Sequence, residues 1–170
     1  RFLRTDAREM AARGESAGEF ATGAGPLREA ARWVRALGPP TPTDNANVNV
    51  ARLGDHYVAQ TEAPRWVAFD PETLDTRGEF RWRDGIPGHL TTAHTKRDPR
   101  TGETVGFGLR FGRPNRYLLY TVDGDGRRHD AGAVRARGPG YVHDLALTRD
   151  YAVLVETPLS IDVWRALVPW

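Results

Sequence analysis

The sequence contains no cysteine, one methionine and a single lysine, Lys96. Without cysteine there is no disulfide framework and no thiolate metal site, so a transition metal would need imidazole and carboxylate ligands. The absence also suits a reducing compartment. Apolar runs are short, with residues 151–155 among the longest, whereas a membrane-spanning helix needs roughly 20 apolar residues. We therefore expect a cytoplasmic location and no transmembrane helix.

Neither sign of charge predominates, because the sequence has 24 basic and 22 acidic residues and a net charge of +2. The basic residues are scattered and interleaved with acids, so no stripe could follow a phosphate backbone, and nucleic-acid binding is not expected. The length of 170 residues is enough for one domain with a core. Since the chain begins with arginine and ends in an apolar stretch, we interpret residues 1–170 as a single partial domain, a fragment.

Two segments near the N-terminus have helical character. Residues 5–13 have a helix-like start, with Thr5 or Asp6 as the cap. Residues 26–37 form the clearest helix, with apolar residues at three-to-four spacing and arginines on the other side. Two interpretations stay open for 26–37, a surface helix packed on a β domain or a basic amphipathic helix in peripheral contact with a membrane.

From residue 46 to residue 170 the pattern changes to short runs of β-formers cut by turn residues. The runs cover residues 46–53, 56–61, 65–70, 104–111, 116–122, 129–135, 141–148, 151–156 and 160–164. Turn chemistry at Gly54-Asp55 and at residues 123–126 separates them. This pattern predicts an all-β antiparallel meander, as in a barrel, sandwich or propeller.

His143 is the residue that most requires an explanation. It shares one face of a predicted half-buried strand with Leu145 and Leu147 by period two, and a histidine there needs a hydrogen-bond partner or a metal. His94 precedes a polar turn and is expected at a strand end. Glu62 also ends a strand, where it is either a solvated carboxylate or one that accepts the N–H of a metal-bound imidazole.

The remaining candidates are weaker. Glu156 follows an apolar strand and has the same two interpretations as Glu62, with the structural one favoured. His56 and His129 lie beside turn or charged residues and are expected to be exposed and structural. The sequence contains no P-loop motif.

Several motifs along the chain resemble those of the carotenoid cleavage oxygenases. They are RFLRTDA (1–7), TDNANVNV (43–50), YVAQTE (57–62), FDPETLDT (69–76), TAH (92–94) followed by DPRTGE (98–103), and YVH (141–143) followed by VETP (155–158). Thr95 departs from the pattern, because the family commonly has proline after the first histidine; we expect the turn there to tolerate threonine.

The resemblance implies part of a seven-bladed β-propeller, about two to three blades, with Fe(2+) held on its axis by four histidines. His94 and His143 match two of these ligands, Glu62 matches a carboxylate that serves His143, and the other two ligands are expected outside this chain. The implied reaction is oxidative cleavage of an alkene in a carotenoid or apocarotenoid by dioxygen. The resemblance also places 26–37 near a membrane-facing tunnel mouth.

Alternatives remain open at this level. Within the family, a retinoid isomerase-type or stilbene-cleaving reaction would use the same site. Outside it, the chain would be a non-catalytic β module that binds a lipid or a protein partner. In either case we expect these 170 residues to be inactive alone.

Overall fold

The computed structural model describes residues 2–15, 44–138 and 140–158. The predicted helix over 26–37 and the predicted strand over 160–164 lie outside these residues.

The helix in the described residues, α1, spans Asp6–Ala12. It forms there because the Thr5 side chain accepts a hydrogen bond from the Arg8 N–H and caps the first turn. The Asp44 carboxylate accepts two more N–H groups of that turn, from Asp6 and Ala7, at 2.7 and 2.9 Å. The predicted helix start at residues 5–13 is thus confirmed. Across the described ranges, no helix has the length and apolar character needed to cross a membrane.

All other regular structure in the described residues is antiparallel β-strand. The strands are β1 (Asn49–Leu53), β2 (His56–Gln60), β3 (Trp66–Phe69), β4 (Thr76–Phe80), β5 (Leu90–Thr91), β6 (Lys96–Arg97), β7 (Thr104–Arg110), β8 (Arg116–Val122), β9 (Arg128–Arg135), β10 (Leu145–Leu147) and β11 (Ala152–Leu154). The predicted all-β class of the main body is confirmed.

The strands form three sheets. The first has the order β1-β2-β3-β4, the second runs β5-β7-β8-β9 with β6 also paired to β7, and the third contains β10 and β11. Within each sheet, most strands that are consecutive in the chain pair through short turns, such as Gly54-Asp55 between β1 and β2.

The second sheet lies between the other two because β8 uses both of its faces. Tyr120 and Val122 point to a core shared with the first sheet, which includes Trp66. Tyr117 points the other way, into a core that includes Leu145 of the third sheet. The period-two alternation of one strand therefore holds three sheets together.

Gly106 of β7 faces Tyr120 of β8, and the absence of a side chain there is required. A Cβ atom at Gly106 would lie 2.6 Å from the Tyr120 Cζ atom. The ring therefore packs directly on the backbone of the neighbouring strand, where it is fully buried.

Arg128 connects the segment after β4 to this core. Its guanidinium lies over the rings of Trp82 and Tyr120, with Cζ at 4.6 and 5.2 Å from their centroids. It also donates two hydrogen bonds to Asp84, at 2.5 and 2.9 Å. Burial would raise the pKa of Asp84, but the bonds from Arg128 and from the Ile86 N–H together outweigh it and hold the pKa below its usual value. The pair fixes the loop that leads into β5.

Three strands were not predicted from the sequence: β4, β5 and β6. β4 is a polar strand at the edge of its sheet, and its sequence TRGEF shows no apolar alternation. β5 and β6 are two residues each and form only because β7 offers them hydrogen-bonding partners. Neither the edge position of β4 nor the pairing of β5 and β6 with β7 can be recognised in the local sequence.

Candidate metal centre

Glu62, His94 and His143 come from three different parts of the chain and meet in space. Glu62 follows β2, His94 lies between β5 and β6, and His143 lies just before β10. The Glu62 carbonyl accepts a hydrogen bond from the Thr91 N–H at 2.8 Å, which holds the end of β2 against β5.

The two imidazoles face each other through the same ring atom. The Nε2 atoms of His94 and His143 are 2.9 Å apart, and the ring centroids are 4.4 Å apart. Two nitrogens that bind one metal ion at about 2.1 Å and at a right angle lie about 3.0 Å apart. The separation of the two Nε2 atoms therefore matches adjacent ligands of one octahedral ion.

The other nitrogen of His143 contacts Glu62. His143 Nδ1 lies 2.6 Å from Glu62 Oε1, and the Tyr141 hydroxyl donates a hydrogen bond to the same oxygen. The Tyr141 oxygen also lies 2.8 Å from His143 Nδ1. The three groups form a closed triangle.

The triangle selects one tautomer of His143. Because an ionised carboxylate only accepts hydrogen bonds, Glu62 requires the proton of the neutral ring to be on Nδ1. Burial and the nearby Glu62 carboxylate raise the pKa of Tyr141 above its usual value, so its hydroxyl stays a donor. The Nε2 lone pair of His143 then faces His94 Nε2, where it can accept a hydrogen bond from that ring or bind a cation.

Thr92 links the backbones of the two histidine segments. Its side chain is almost fully buried, and its hydroxyl accepts a hydrogen bond from the His94 N–H at 3.0 Å. The same hydroxyl donates to the His143 carbonyl at 3.4 Å, a longer and weaker contact. One buried group therefore contacts the main chain of both histidines.

A second link lies further out, where the Lys96 ammonium contacts the Asp144 carboxylate at 2.8 Å. Lys96 is two residues after His94, and Asp144 directly follows His143. Burial would raise the pKa of Asp144, but the hydrogen bonds from Lys96 and from the Leu145 N–H, with the nearby positive charge of Lys96, together outweigh it, and the pKa lies below its usual value.

Thr95, where the resembled family commonly has proline, is also held in place. Its hydroxyl lies 3.3 Å from the side-chain nitrogen of Gln60, which is fully buried. The turn after His94 is therefore anchored to the end of β2 by a side chain that proline could not supply.

The other histidines are used elsewhere. The ring of His56 packs on Phe80, and His129 pairs with Asp123 at 2.7 Å. His89 accepts a hydrogen bond from the Phe111 N–H through Nδ1. Glu156 accepts a hydrogen bond from the Tyr117 hydroxyl at 3.1 Å. Burial and this carboxylate raise the pKa of Tyr117 to about 12.

The predicted setting of His143 was wrong. The strand begins at Leu145 rather than residue 141, and the His143 side chain is 53% exposed instead of lying on an apolar face. The reason is that β10 pairs with β11 over three residues only, and the Asp144 carboxylate takes up the Leu145 N–H just before the strand. His143 has a hydrogen-bond partner, Glu62, as expected, but the contact lies outside the sheet.

The residues present fit a ferrous ion in part. The two nitrogens have the separation expected of adjacent ligands, and neutral imidazoles suit Fe(2+). Within the described ranges there is no cluster of three or more histidine, cysteine, aspartate or glutamate side chains that could complete the shell.

Three contributors to the site were not predicted from the sequence: Tyr141, Thr92 and the Lys96–Asp144 pair. Tyr141 is two residues before His143, a spacing that places two side chains on one side of an extended chain, and this signal could have found it. Lys96 was conspicuous as the single lysine. Its pairing with Asp144 spans 48 positions, so no local signal predicts it.

Comparisons with known proteins show which family the chain is similar to. The family model described as retinal pigment epithelial membrane protein matches residues 1–170. The chain is 33% identical over 125 residues to resveratrol cleavage oxygenase 1 of Chaetomium globosum, a match that covers 71% of this chain and 21% of that protein. It is 35% identical over 143 residues to the chloroplastic carotenoid cleavage dioxygenase 8 of Arabidopsis thaliana, covering 79% of this chain and 24% of that protein.

Among solved structures, the chain is similar to the lignostilbene dioxygenase of Pseudomonas brassicacearum. The TM-score is 0.76 with 27% identity, and the match covers 98% of this chain and 34% of the other. The chain thus spans about a quarter of the length of these two curated relatives and about a third of the solved structure.

Proposed function

The chain belongs to the carotenoid cleavage oxygenase family, and on that premise we propose that it carries half of the iron site of an enzyme that cleaves an alkene with dioxygen. The observation that carries this proposal is the 2.9 Å separation of the His94 and His143 Nε2 atoms, with Glu62 on the far side of His143. Two further histidines are proposed to come from outside the described residues. The sheets are proposed to be two to three blades of a seven-bladed propeller.

The residues of this chain would hold the ion and keep its site in order. Ferrous iron, held by these residues, would supply the redox chemistry for the reaction with dioxygen. His94 and His143 supply neutral lone pairs, which leave the ion its full charge. Glu62 holds His143 in the required tautomer and offsets part of that charge. The exposed side of His143 leaves room for further ligands and for the substrate.

The proposed reaction converts one carbon–carbon double bond and one dioxygen molecule into two carbonyl groups, so no other oxidant or reductant is needed. The substrate is proposed to be an apolar conjugated alkene, a carotenoid or apocarotenoid. The relatives support a second candidate, a stilbene, because two of the three are named for resveratrol and lignostilbene. A retinoid isomerase-type reaction would use the same residues and is distinguished by its product.

The test uses the complete protein that carries this chain, purified under reducing conditions. We expect it to contain iron and to release carbonyl products labelled by 18O2 from one of a carotenoid, an apocarotenoid and a stilbene. His94→Ala and His143→Ala should lose both iron and product. His129→Ala is the matched control, because it removes the same side chain from a surface ion pair.

If the wild-type protein contained no iron, the better explanation would be a non-catalytic β module that binds a lipid or a protein partner. Cleavage activity retained by His143→Ala would contradict the ligand assignment. Peripheral membrane contact through 26–37 is a separate part of the proposal, tested by sedimentation with lipid vesicles.

A further inference from the structure

The two histidine segments have to stay together although the sheet does not join them. His94 lies between two short strands that pair with β7, whereas His143 precedes a strand that pairs only with β11. No backbone ladder in the described residues connects the two segments. Their relative position therefore depends on side-chain contacts.

One of these contacts is the ion pair of Lys96 and Asp144, at 2.8 Å. Each member is within two residues of a proposed ligand, on opposite sides of the gap. A second contact, from the Arg100 guanidinium to the Arg149 carbonyl at 2.5 Å, lies further along the same two segments. The Thr92 hydroxyl contacts the His143 carbonyl from the buried side at 3.4 Å.

We propose that the Lys96–Asp144 ion pair is a positioning device that holds the His94 and His143 segments at the separation a single metal ion requires. The inference rests on the proposed function, because it needs the two histidines to be ligands. Neither Lys96 nor Asp144 touches the imidazole nitrogens that would bind the ion, so they act through the backbone.

The exposure of the pair separates this role from a contribution to folding. The side chains of Lys96 and Asp144 are 36% and 44% exposed, and ion pairs at such positions contribute little to overall stability. The remaining contacts between the segments keep the fold when the pair is removed. The expected effect is on metal affinity and geometry rather than on unfolding.

The test titrates the complete protein with Co(2+), whose visible absorption reports both affinity and coordination geometry. Residues that support metal ligands typically change affinity 10–100-fold when they are removed, so Lys96→Met is expected to weaken binding by about tenfold, the lower end of that range, and to change the visible bands. Its melting temperature should stay close to that of the wild type. Lys96→Asp combined with Asp144→Lys reverses the pair and should restore affinity and bands.

Arg77→Met is the matched control, because it removes another exposed ion pair, with Asp70 at 2.6 Å, from a different sheet. Equal Co(2+) affinity in the wild type and Lys96→Met would overturn the proposal, as would a reversed pair that fails to restore binding. A wild-type protein that binds no Co(2+) would instead overturn the proposed function, and the role of the pair with it.

Discussion

The tautomer of His143 depends on which neighbour it meets at Nδ1. In the intact triangle, the Nδ1–H of His143 donates a hydrogen bond to Glu62, and the Tyr141 hydroxyl donates another to the same carboxylate. If Glu62 were absent, the Tyr141 hydroxyl would still lie 2.8 Å from Nδ1 and could donate to it. That bond would favour the other tautomer, with the proton on Nε2, where the metal would bind.

Glu62→Ala is therefore expected to weaken metal binding by about 10–100-fold, the usual cost of losing a carboxylate behind a ligand histidine. Adding Tyr141→Phe to Glu62→Ala should recover part of the loss, because it removes the competing donor. Iron content and Co(2+) titration of the complete protein measure both effects.

Glu156→Ala is the control for this prediction, because it removes a carboxylate bound by a tyrosine hydroxyl, that of Tyr117, from another part of the fold. It should leave metal affinity unchanged. A Glu62→Ala variant with wild-type affinity would show that the triangle has no role in tuning the site.

The family resemblance predicted both the three site residues and their meeting, with the two histidines on one ion and Glu62 behind His143, and their use as a metal site stays a prediction. Glu62, His94 and His143 were identified from local motifs, and the structure brings them together. The bond between Glu62 and His143 spans 81 positions and depends on how the sheets pack. A local pattern carries no information about such a contact, and the hydrogen bond from Thr92 to the His143 carbonyl, 51 positions away, was missed for the same reason.

At the scale of the elements, most strands were predicted, including β9, whose residues are largely exposed, whereas the polar strand β4 and the two-residue strands β5 and β6 were not. β8 was predicted with its bounds because its alternating residues pack into two cores. β4 was missed because polar residues fill an edge strand. The strand at β10 was predicted too long, since Val142 and Leu145 suggest continuity although the ladder to β11 begins only at Leu145.

Gly106 offers a test of how β7 and β8 pack. Gly106→Ala places a methyl group 2.6 Å from the Tyr120 Cζ atom, and the ring cannot move without disturbing its contacts with Trp82 and Arg128. We expect a loss of about 1–3 kcal/mol in the free energy of unfolding, as for other overpacked cores. Thermal or urea unfolding measures it.

Gly138→Ala is the control, because a methyl group there meets no atom within 4 Å. Combining Gly106→Ala with Tyr120→Leu should cost less than the sum of the two single changes, since the shorter side chain relieves the clash. Strict additivity of the two substitutions would contradict the packing argument.

At the scale of the whole molecule, the described sheets expose apolar side chains on strands at their edges. β1 and β11 each have a pairing partner on one side only among the described strands. Val50 on β1 is 55% exposed and Val153 on β11 is 41% exposed. Unpaired strand edges with apolar side chains are templates for association between chains.

These 170 residues expressed alone are therefore expected to aggregate through these edges. Val50→Lys combined with Val153→Lys should increase the monomeric fraction, because charged side chains on edge strands oppose pairing with another chain. Leu74→Lys is the control: it also replaces an exposed apolar residue, at 47% exposure, but in a turn outside the strands. Size-exclusion chromatography with light scattering measures the monomeric fraction. If all three proteins were equally monomeric, the edges would not control association, and the three sheets would form a self-sufficient unit.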